Sequence, residues 1–381
     1  MGTLIDYLKE NGQTPFSQLP FNELDLVCLN ELGYLPFGEH LEGHQRMRFS
    51  EIKTIYQEQK ANIAYDFMVT RERIQLFEAV LDSLRFADLE IADYVNDVNS
   101  EFEKQFAAMV FYLPDIQHCQ VVFRGTDDSL IGWKEDFKLT YMSEIPAQRS
   151  AVTYLRDVLE STEQSVCVTG HSKGGNLAVY AASHQEASRQ AQIKLVMMLD
   201  APGFSTAFFQ KQGYQMIRDK LIVIRPKDSI VGVMLQLDVP ALVVDAHSFG
   251  VSQHSVMTWK VSEQGYFMGA EPTALSNQLS GTFDQWMANL SKSELKMLVD
   301  LLFDTLIDSG IDNLNHLNQR EGLGSLLVAF GKLNQIHRNK RQLIQKSLWQ
   351  FLTAFAQNGH GNPISLRQPQ AFLKSKVQRN Q

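Results

Sequence analysis

Apolar residues follow two different periods along this chain. Between residues 15 and 37, Leu24, Val27, Cys28 and Leu32 recur at helical spacing behind Asn22, a good N-cap, and predict a core helix. From Glu51 to about Ser83 the same period continues among charges, which predicts two or more helices packed over a sheet. Over residues 86 to 124 the period shortens. "RFADLEIADYVNDV" alternates, "QFAAMVFYL" is apolar throughout, Pro114-Asp115 marks a turn, and "CQVVFRGT" is a strand ending in a glycine. These read as antiparallel strands. Beyond them come a helix in "AQRSAVTYLRDVLEST", a strand at Val166, Cys167 and Val168, and a helix from Asn176 to Ala181. A strand in "IKLVMMLDAPGF", a helix near residues 205 to 218 and a strand in "KLIVIRPKDS" follow. Such alternation implies a mostly parallel sheet covered by helices.

The pattern changes again near the end. Ser291 and Glu294 form a capping box before Leu295, Leu298, Leu302, Leu306 and Ile307, an amphipathic helix. A second helix is expected from near Leu323, carrying Leu326, Leu327, Phe330 and Leu333 and running on through Ile336, Leu343, Ile344, Leu348 and Phe351. The polar stretch "SGIDNLNHLNQREGLG" between them reads as a loop, and the chain after Gly359 as a loose polar tail with Arg367, Lys374, Lys376 and Arg379. The expected organisation is a main α/β domain over residues 1–285, a helical appendage over 286–358 and a flexible tail over 359–381.

With 381 residues, 44% of them hydrophobic, the chain can bury a large core. A net charge of −8 offers no general basic surface, so no nucleic-acid partner is expected. Cys28, Cys119 and Cys167 are scattered, two of them in strand-like runs, and suit buried free thiols better than a disulfide framework or a zinc site; no metal or cofactor is expected. The N-terminal "MGTLIDYLKENG" lacks the apolar run of a signal peptide, and Asp6 stands where a myristoylation signal needs Ser or Thr. No stretch is long enough to span a bilayer, and a cytoplasmic location is the expectation.

The chemistry centres on "SVCVTGHSKGGNLAVYAA", residues 165 to 182. Gly170-His171-Ser172-Lys173-Gly174 fits the Gly-x-Ser-x-Gly nucleophile elbow, a strained strand-to-helix turn that lifts a serine hydroxyl above a sheet. Glycines suit the crowded flanks, and the strand before and helix after are the required context. A serine alcohol needs a base and a group that orients the base. In elbow enzymes these follow in the order acid, then histidine.

Asp228, just past the end of the "KLIVIRP" strand, is the preferred acid; Asp200, at the end of "KLVMMLD", is its rival and suits bracing the "DAPGF" loop. His254 in "VSQHSVMTW" is preferred as base over His247 in "VVDAHSFG", because it lies on the more fully developed loop. An oxyanion hole would take the Lys173 amide, which follows the nucleophile, and the Thr126 amide at the exit of "VVFRGTDD". A lysine at a helix N-terminus opposes the macrodipole by about 0.3–1 kcal/mol. Asp127, Asp128 or Asp200 could offset Lys173, or its ammonium could meet an anionic substrate group.

"VVFRGTD", "GWKEDF", "GHSKGGNLAVYAA", "DAPGF", "KDSIVG" and "QHSVMTW" together resemble a bacterial α/β-hydrolase family related to the class 3 (triacylglycerol) lipases, over about residues 20 to 270. The resemblance implies the α/β-hydrolase fold, with Ser172 as nucleophile, Asp228 as acid, Thr126 at the oxyanion hole and His254 as base. Lys173 departs from the small or apolar residue of those lipases. The expected activity is hydrolysis of a carboxylic ester through an acyl-enzyme, on a small-molecule or lipid ester. A thioesterase or amidase with the same triad, or a silent hydrolase-fold binding protein, is the alternative. "SIVGVMLQLDVPALVV" suits a wall around an acyl chain and equally a covering helix and buried strand, which leaves peripheral membrane contact open.

Overall fold

The computed structural model describes residues 2–37, 41, 46–66, 68–127, 129–262, 265–309 and 338–359. The helix expected from Leu323 through Ile336, the loop before it, Asp128 and the tail beyond Gly359 lie outside the described residues.

Among the described residues eight strands form one sheet in sequential order: β1 (Met47–Arg48), β2 (Glu90–Asn99), β3 (Lys104–Leu113), β4 (His118–Phe123), β5 (Val166–His171), β6 (Ile193–Leu199), β7 (Leu221–Pro226) and β8 (Ala241–Val244). β1 to β4 pair antiparallel, with a register shift in β2 between Ala92 and Val95. β4 through β8 run parallel.

The helices are α1 (Leu4–Asn11), α2 (Glu23–Leu32), α3 (Phe49–Gln59), α4 (Arg71–Leu81), α5 (Leu130–Lys138), α6 (Pro146–Ser161), α7 (Lys173–Ser183), α8 (Ala187–Gln192), α9 (Gln212–Ile217), α10 (Ala274–Ala288), α11 (Lys292–Ile307) and α12 (Arg338–Asn358).

A strand buried on both faces needs apolar residues at every position, and β3 shows it. Met109, Phe111 and Leu113 enter the core built with α1 to α4, while Ala108, Val110 and Tyr112 enter the core on the α6 and α7 side. β6 divides likewise, Leu195, Met197 and Leu199 to the first and Val196 and Met198 to the second. This mostly parallel sheet, covered on both faces and carrying a strand-to-helix serine turn at its carboxyl end, is an α/β-hydrolase fold.

The capping signals at Asn22 and Ser291 appear as read: Asn22 Oδ1 accepts from the Leu24 and Asp25 amides, and Ser291 Oγ from the Glu294 amide. All three cysteines are buried and free. The helix expected near residues 205 to 218 is broken into two short 3-10 turns flanking α9, because Lys211 is extended at the start of α9.

Helix α10 crosses the expected boundary at residue 285. α11 closes a third small core, in which Leu295, Val299 and Phe303 pack with Leu130 and Tyr141. α12 lies on α10 through Phe351, whose ring is 6.0 Å from Phe283 and 5.8 Å from Trp286. Its other side leaves Leu348, Trp349 and Leu352 exposed among the described residues.

Candidate functional site

β5 ends at His171, and Ser172 turns the chain with φ 56° and ψ −134°, a conformation that an L-residue with a side chain adopts only where its surroundings impose it. The Ser172 amide donates to the Leu199 carbonyl (2.9 Å), and its carbonyl accepts from the Gly175 amide (3.0 Å) as α7 begins. A Cβ on Gly170 would lie 2.1 Å from the Gly174 carbonyl, and one on Gly174 would lie 2.0 Å from the Phe123 carbonyl oxygen. The motif's two glycines are therefore required by the approach of β5, α7 and β4, and they let the corner form.

His254 ends a short 3-10 turn over Gly250–His254. Its Nδ1 lies 2.7 Å from Asp200 Oδ2. Three further contacts fix this pair. Asp200 Oδ1 accepts from Ser229 Oγ (2.5 Å) and the Gly232 amide (3.1 Å), and the His254 carbonyl accepts from His171 Nε2 (2.8 Å). The imidazole of His254 stands 4.5 Å, centre to centre, from that of His171, the residue next to Ser172. A histidine bonded to a carboxylate through Nδ1 presents Nε2 as its base.

The structure thus joins His254 to Asp200, and the expectation that Asp228 orients the histidine is corrected. Asp228 Oδ2 accepts from the Gly250 amide (3.2 Å) and Gln253 Nε2 (2.9 Å), and the Asp228 amide donates to Gln253 Oε1 (3.0 Å). It holds the loop that carries the histidine. The reason is the order of strands: β6 is the direct neighbour of β5, so Asp200 at its end faces the serine corner, whereas β7 stands one strand further away. His247 sits elsewhere, with Nε2 3.4 Å from the Gly2 carbonyl oxygen.

Lys173 is inward and fully buried. Its ammonium donates to the Gln105 carbonyl (2.9 Å), Gln105 Oε1 (2.7 Å) and Glu135 Oε2 (3.0 Å), with Asp136 Oδ1 at 3.7 Å. Glu135 offsets its charge, in place of the expected Asp127 or Asp200. Glu135 also accepts from the amides of Gln105 (3.0 Å) and Ala147 (2.9 Å), so every oxygen of the buried pair has a donor. With three acceptors and no exposure, the Lys173 ammonium does not face a substrate. What Lys173 offers the site is its backbone amide at the first turn of α7.

Thr126 precedes α5, and its hydroxyl donates to Asp136 Oδ2, which leaves its amide as the group it can present to a substrate. Burial pushes the Asp136 carboxyl up to about 6, against the lowering influence of Lys173 and the Thr126 hydroxyl. Asp127 caps α5 through Ser129, accepting from its amide (3.0 Å) and its hydroxyl. Ser172, His254 and the Thr126 and Lys173 backbones therefore gather at the carboxyl end of β4 to β6. Asp200, Glu135, Asp136 and His171 are the contributors that sequence reasoning missed or ranked second. Three of them were in view, since "GWKEDF" contains Glu135 and Asp136 and the elbow itself contains His171, and Asp200 was the rival acid.

Solved structures similar to this chain include the M37 lipase, at 16% identity over 56% of this chain and 70% of that one, with a TM-score of 0.36. A fungal lipase in complex with an inhibitor matches at 16% identity over 60% and 72% (TM-score 0.33), and the Lip2 lipase of Yarrowia lipolytica at 14% over 61% and 88% (TM-score 0.33). Comparison with curated proteins returns no match. The Mbeg1-like family model matches residues 80–304, more than half of the chain, with β2 through β8 and the whole serine corner inside the match, and the chain belongs to the Mbeg1-like family.

Proposed function

We propose that the protein is a serine hydrolase that cleaves carboxylic esters through an acyl-enzyme on Ser172, with His254 as general base and Asp200 as the acid that orients it. The observation that carries this reading is the conjunction of a serine held at φ 56° on a strand-to-helix corner with the His254–Asp200 pair at 2.7 Å beside it. A binding protein gains nothing from such a corner.

Ser172 Oγ adds to the ester carbonyl carbon as its proton passes to His254 Nε2. The carbonyl oxygen becomes an oxyanion facing the amides of Thr126 and Lys173. His254 then gives the proton to the departing alkoxide, leaving an acyl-serine and an alcohol. Water repeats the sequence and releases the acid and free Ser172. Asp200 keeps the imidazole in the tautomer with its proton on Nδ1 and stabilises the imidazolium between the two half-reactions. The preference for an ester rests on the resemblance of the motifs to lipases, since a thioester would follow the same steps.

The test is a fluorophosphonate probe on the full chain, followed by p-nitrophenyl esters of graded acyl length. Wild-type protein is expected to label and to turn over ester, and Ser172→Ala to do neither while melting at the same temperature. Hydrolysis by Ser172→Ala above the rate without enzyme would overturn the mechanism.

A further inference from the structure

We infer that Tyr34 and His171 are positioning residues for this reaction, linking the serine corner and the backbone of His254 in one hydrogen-bonded chain on which the oxyanion loop packs; the inference rests on the serine-hydrolase reading. Tyr34 lies in the turn after α2, buried, and its phenol is 2.6 Å from His171 Nδ1. His171 Nε2 lies 2.8 Å from the His254 carbonyl oxygen. A carbonyl oxygen only accepts, so the His171 proton must sit on Nε2, and Nδ1 must then accept from the phenol. One tautomer satisfies both contacts. The other would set a lone pair against the carbonyl.

Gly125 packs directly on the phenol. A Cβ on Gly125 would stand 2.3 Å from the phenol oxygen, 2.7 Å from the His171 carbonyl oxygen and 3.1 Å from Ser172 Cβ, so the strand exit that leads into Thr126 lies flat against the relay. Tyr34 is itself clamped. The Arg73 guanidinium lies 3.7 Å over its ring, and Arg73 is tied to Glu31 Oε2 (3.1 Å) and the Met68 carbonyl (3.0 Å).

His171 suits a relay because it does not take up the reaction's proton. Burial holds its basicity well below the usual histidine range, and positive charge on His254 or Arg73 lowers it further. When His254 becomes imidazolium, His171 stays neutral and keeps its Nε2–H on the His254 carbonyl. A buried Tyr–His pair that served only packing would lower stability when broken and leave the turnover of folded enzyme unchanged. A positioning pair acts on kcat, because small misplacements of a base are costly.

The test compares full-length wild type, Tyr34→Phe, His171→Gln and His171→Leu, with Ser172→Ala as the inactive control. The readouts are kcat and KM on p-nitrophenyl butyrate, the thermal midpoint, and the imidazole nitrogen NMR signals. Tyr34→Phe is expected to lower kcat about 10-fold with KM within about twofold, and His171→Leu to lower it about 100-fold. His171→Gln keeps an N–H donor for the His254 carbonyl and is expected to recover most of the loss seen in His171→Leu. In wild type the His171 signals should show a bare, hydrogen-bonded Nδ1 and a protonated Nε2; in Tyr34→Phe Nε2 should stay protonated while the Nδ1 signal moves to that of a nitrogen with no donor.

An unchanged kcat in Tyr34→Phe, a loss no larger than its unfolded fraction, or a wild-type His171 protonated on Nδ1 would overturn the relay while leaving the hydrolase reading standing. A wild type as inert as Ser172→Ala would overturn the hydrolase reading, and the catalytic purpose of the relay with it.

Discussion

The turns that leave β6 and β7 look alike in sequence: each follows an apolar strand, each carries an aspartate within two residues of the strand end, and both open at the same end of the sheet. Their carboxylates have different partners. Asp200 is buried, receives hydroxyl and amide donors on one oxygen, and turns the other to the His254 ring. Asp228 receives an amide and a side-chain donor from the stretch just before His254 and does not meet the ring. One acts on the imidazole, the other on the peptide that carries it. Strand adjacency makes the difference, because the carboxylate next to the elbow strand is within reach of the His254 ring.

The contrast predicts a graded series of losses. His254→Ala should be the most damaging, lowering kcat by about a million-fold in steady-state ester hydrolysis, while His247→Ala should stay within about threefold. Equal losses in the two variants, at unchanged melting temperature, would detach the base from the Asp200 turn.

Asp200→Asn should come next, at about 10⁴-fold in kcat, because an amide in its place would stabilise the wrong imidazole tautomer and no longer balance the imidazolium. Asp228→Asn keeps an oxygen for the Gly250 amide, loses charge assistance, and should cost only about tenfold. Side-by-side kinetics of these two variants is the direct comparison, and the reverse order would return the role of acid to Asp228.

The smallest effect concerns a third carboxylate. Asp136 accepts from Thr126 on Oδ2, but its Oδ1 has no hydrogen-bond donor, unlike either oxygen of Asp200. Its carboxyl is raised to about 6 by burial, above the value near 4 of an unfolded chain. Between those values the folded protein holds a proton that the unfolded chain has released. Stability on this account falls as pH rises through the window, and the loss is complete above it. Asp136→Asn should remove a slope on the order of 1–2 kcal/mol, read from urea unfolding of both proteins at about pH 4 and about pH 7.

Much of this arrangement was legible in the sequence, and the gaps have physical causes. Ser172, its glycines and the helix after it are local, so five adjacent residues and their flanks suffice. His254 was separable from His247 because it lies further along the loop. The carboxylate that meets His254 was not separable, since the choice between Asp200 and Asp228 depends on which strand lies beside β5, a property of pairing that apolar runs do not encode. Helix α5 escaped notice because Lys134, Glu135 and Lys138 point inward, where periodicity expects apolar residues. Helix α10 escaped because "ALSNQLSGTFDQWMA" has Ser276 and Thr282 on its buried side. The Lys173 anomaly was visible, but its partner lies 38 residues earlier in the chain.

That partner has a bearing on how the chain reaches its native state. An ammonium loses several kcal/mol of hydration on entering a dry interior and regains it only opposite a carboxylate. Lys173 can therefore seat only when Glu135 on α5 and Gln105 on β3, 38 and 68 residues away, are already in place or arrive with it. Assembly of the serine corner should be a late event in refolding, governed by a charge that must wait for its counterpart. Replacing Lys173 with Met together with Glu135→Gln, so that neither side chain needs a counterion, should release that step and let α7 dock earlier, a change measurable as a faster final phase in stopped-flow refolding.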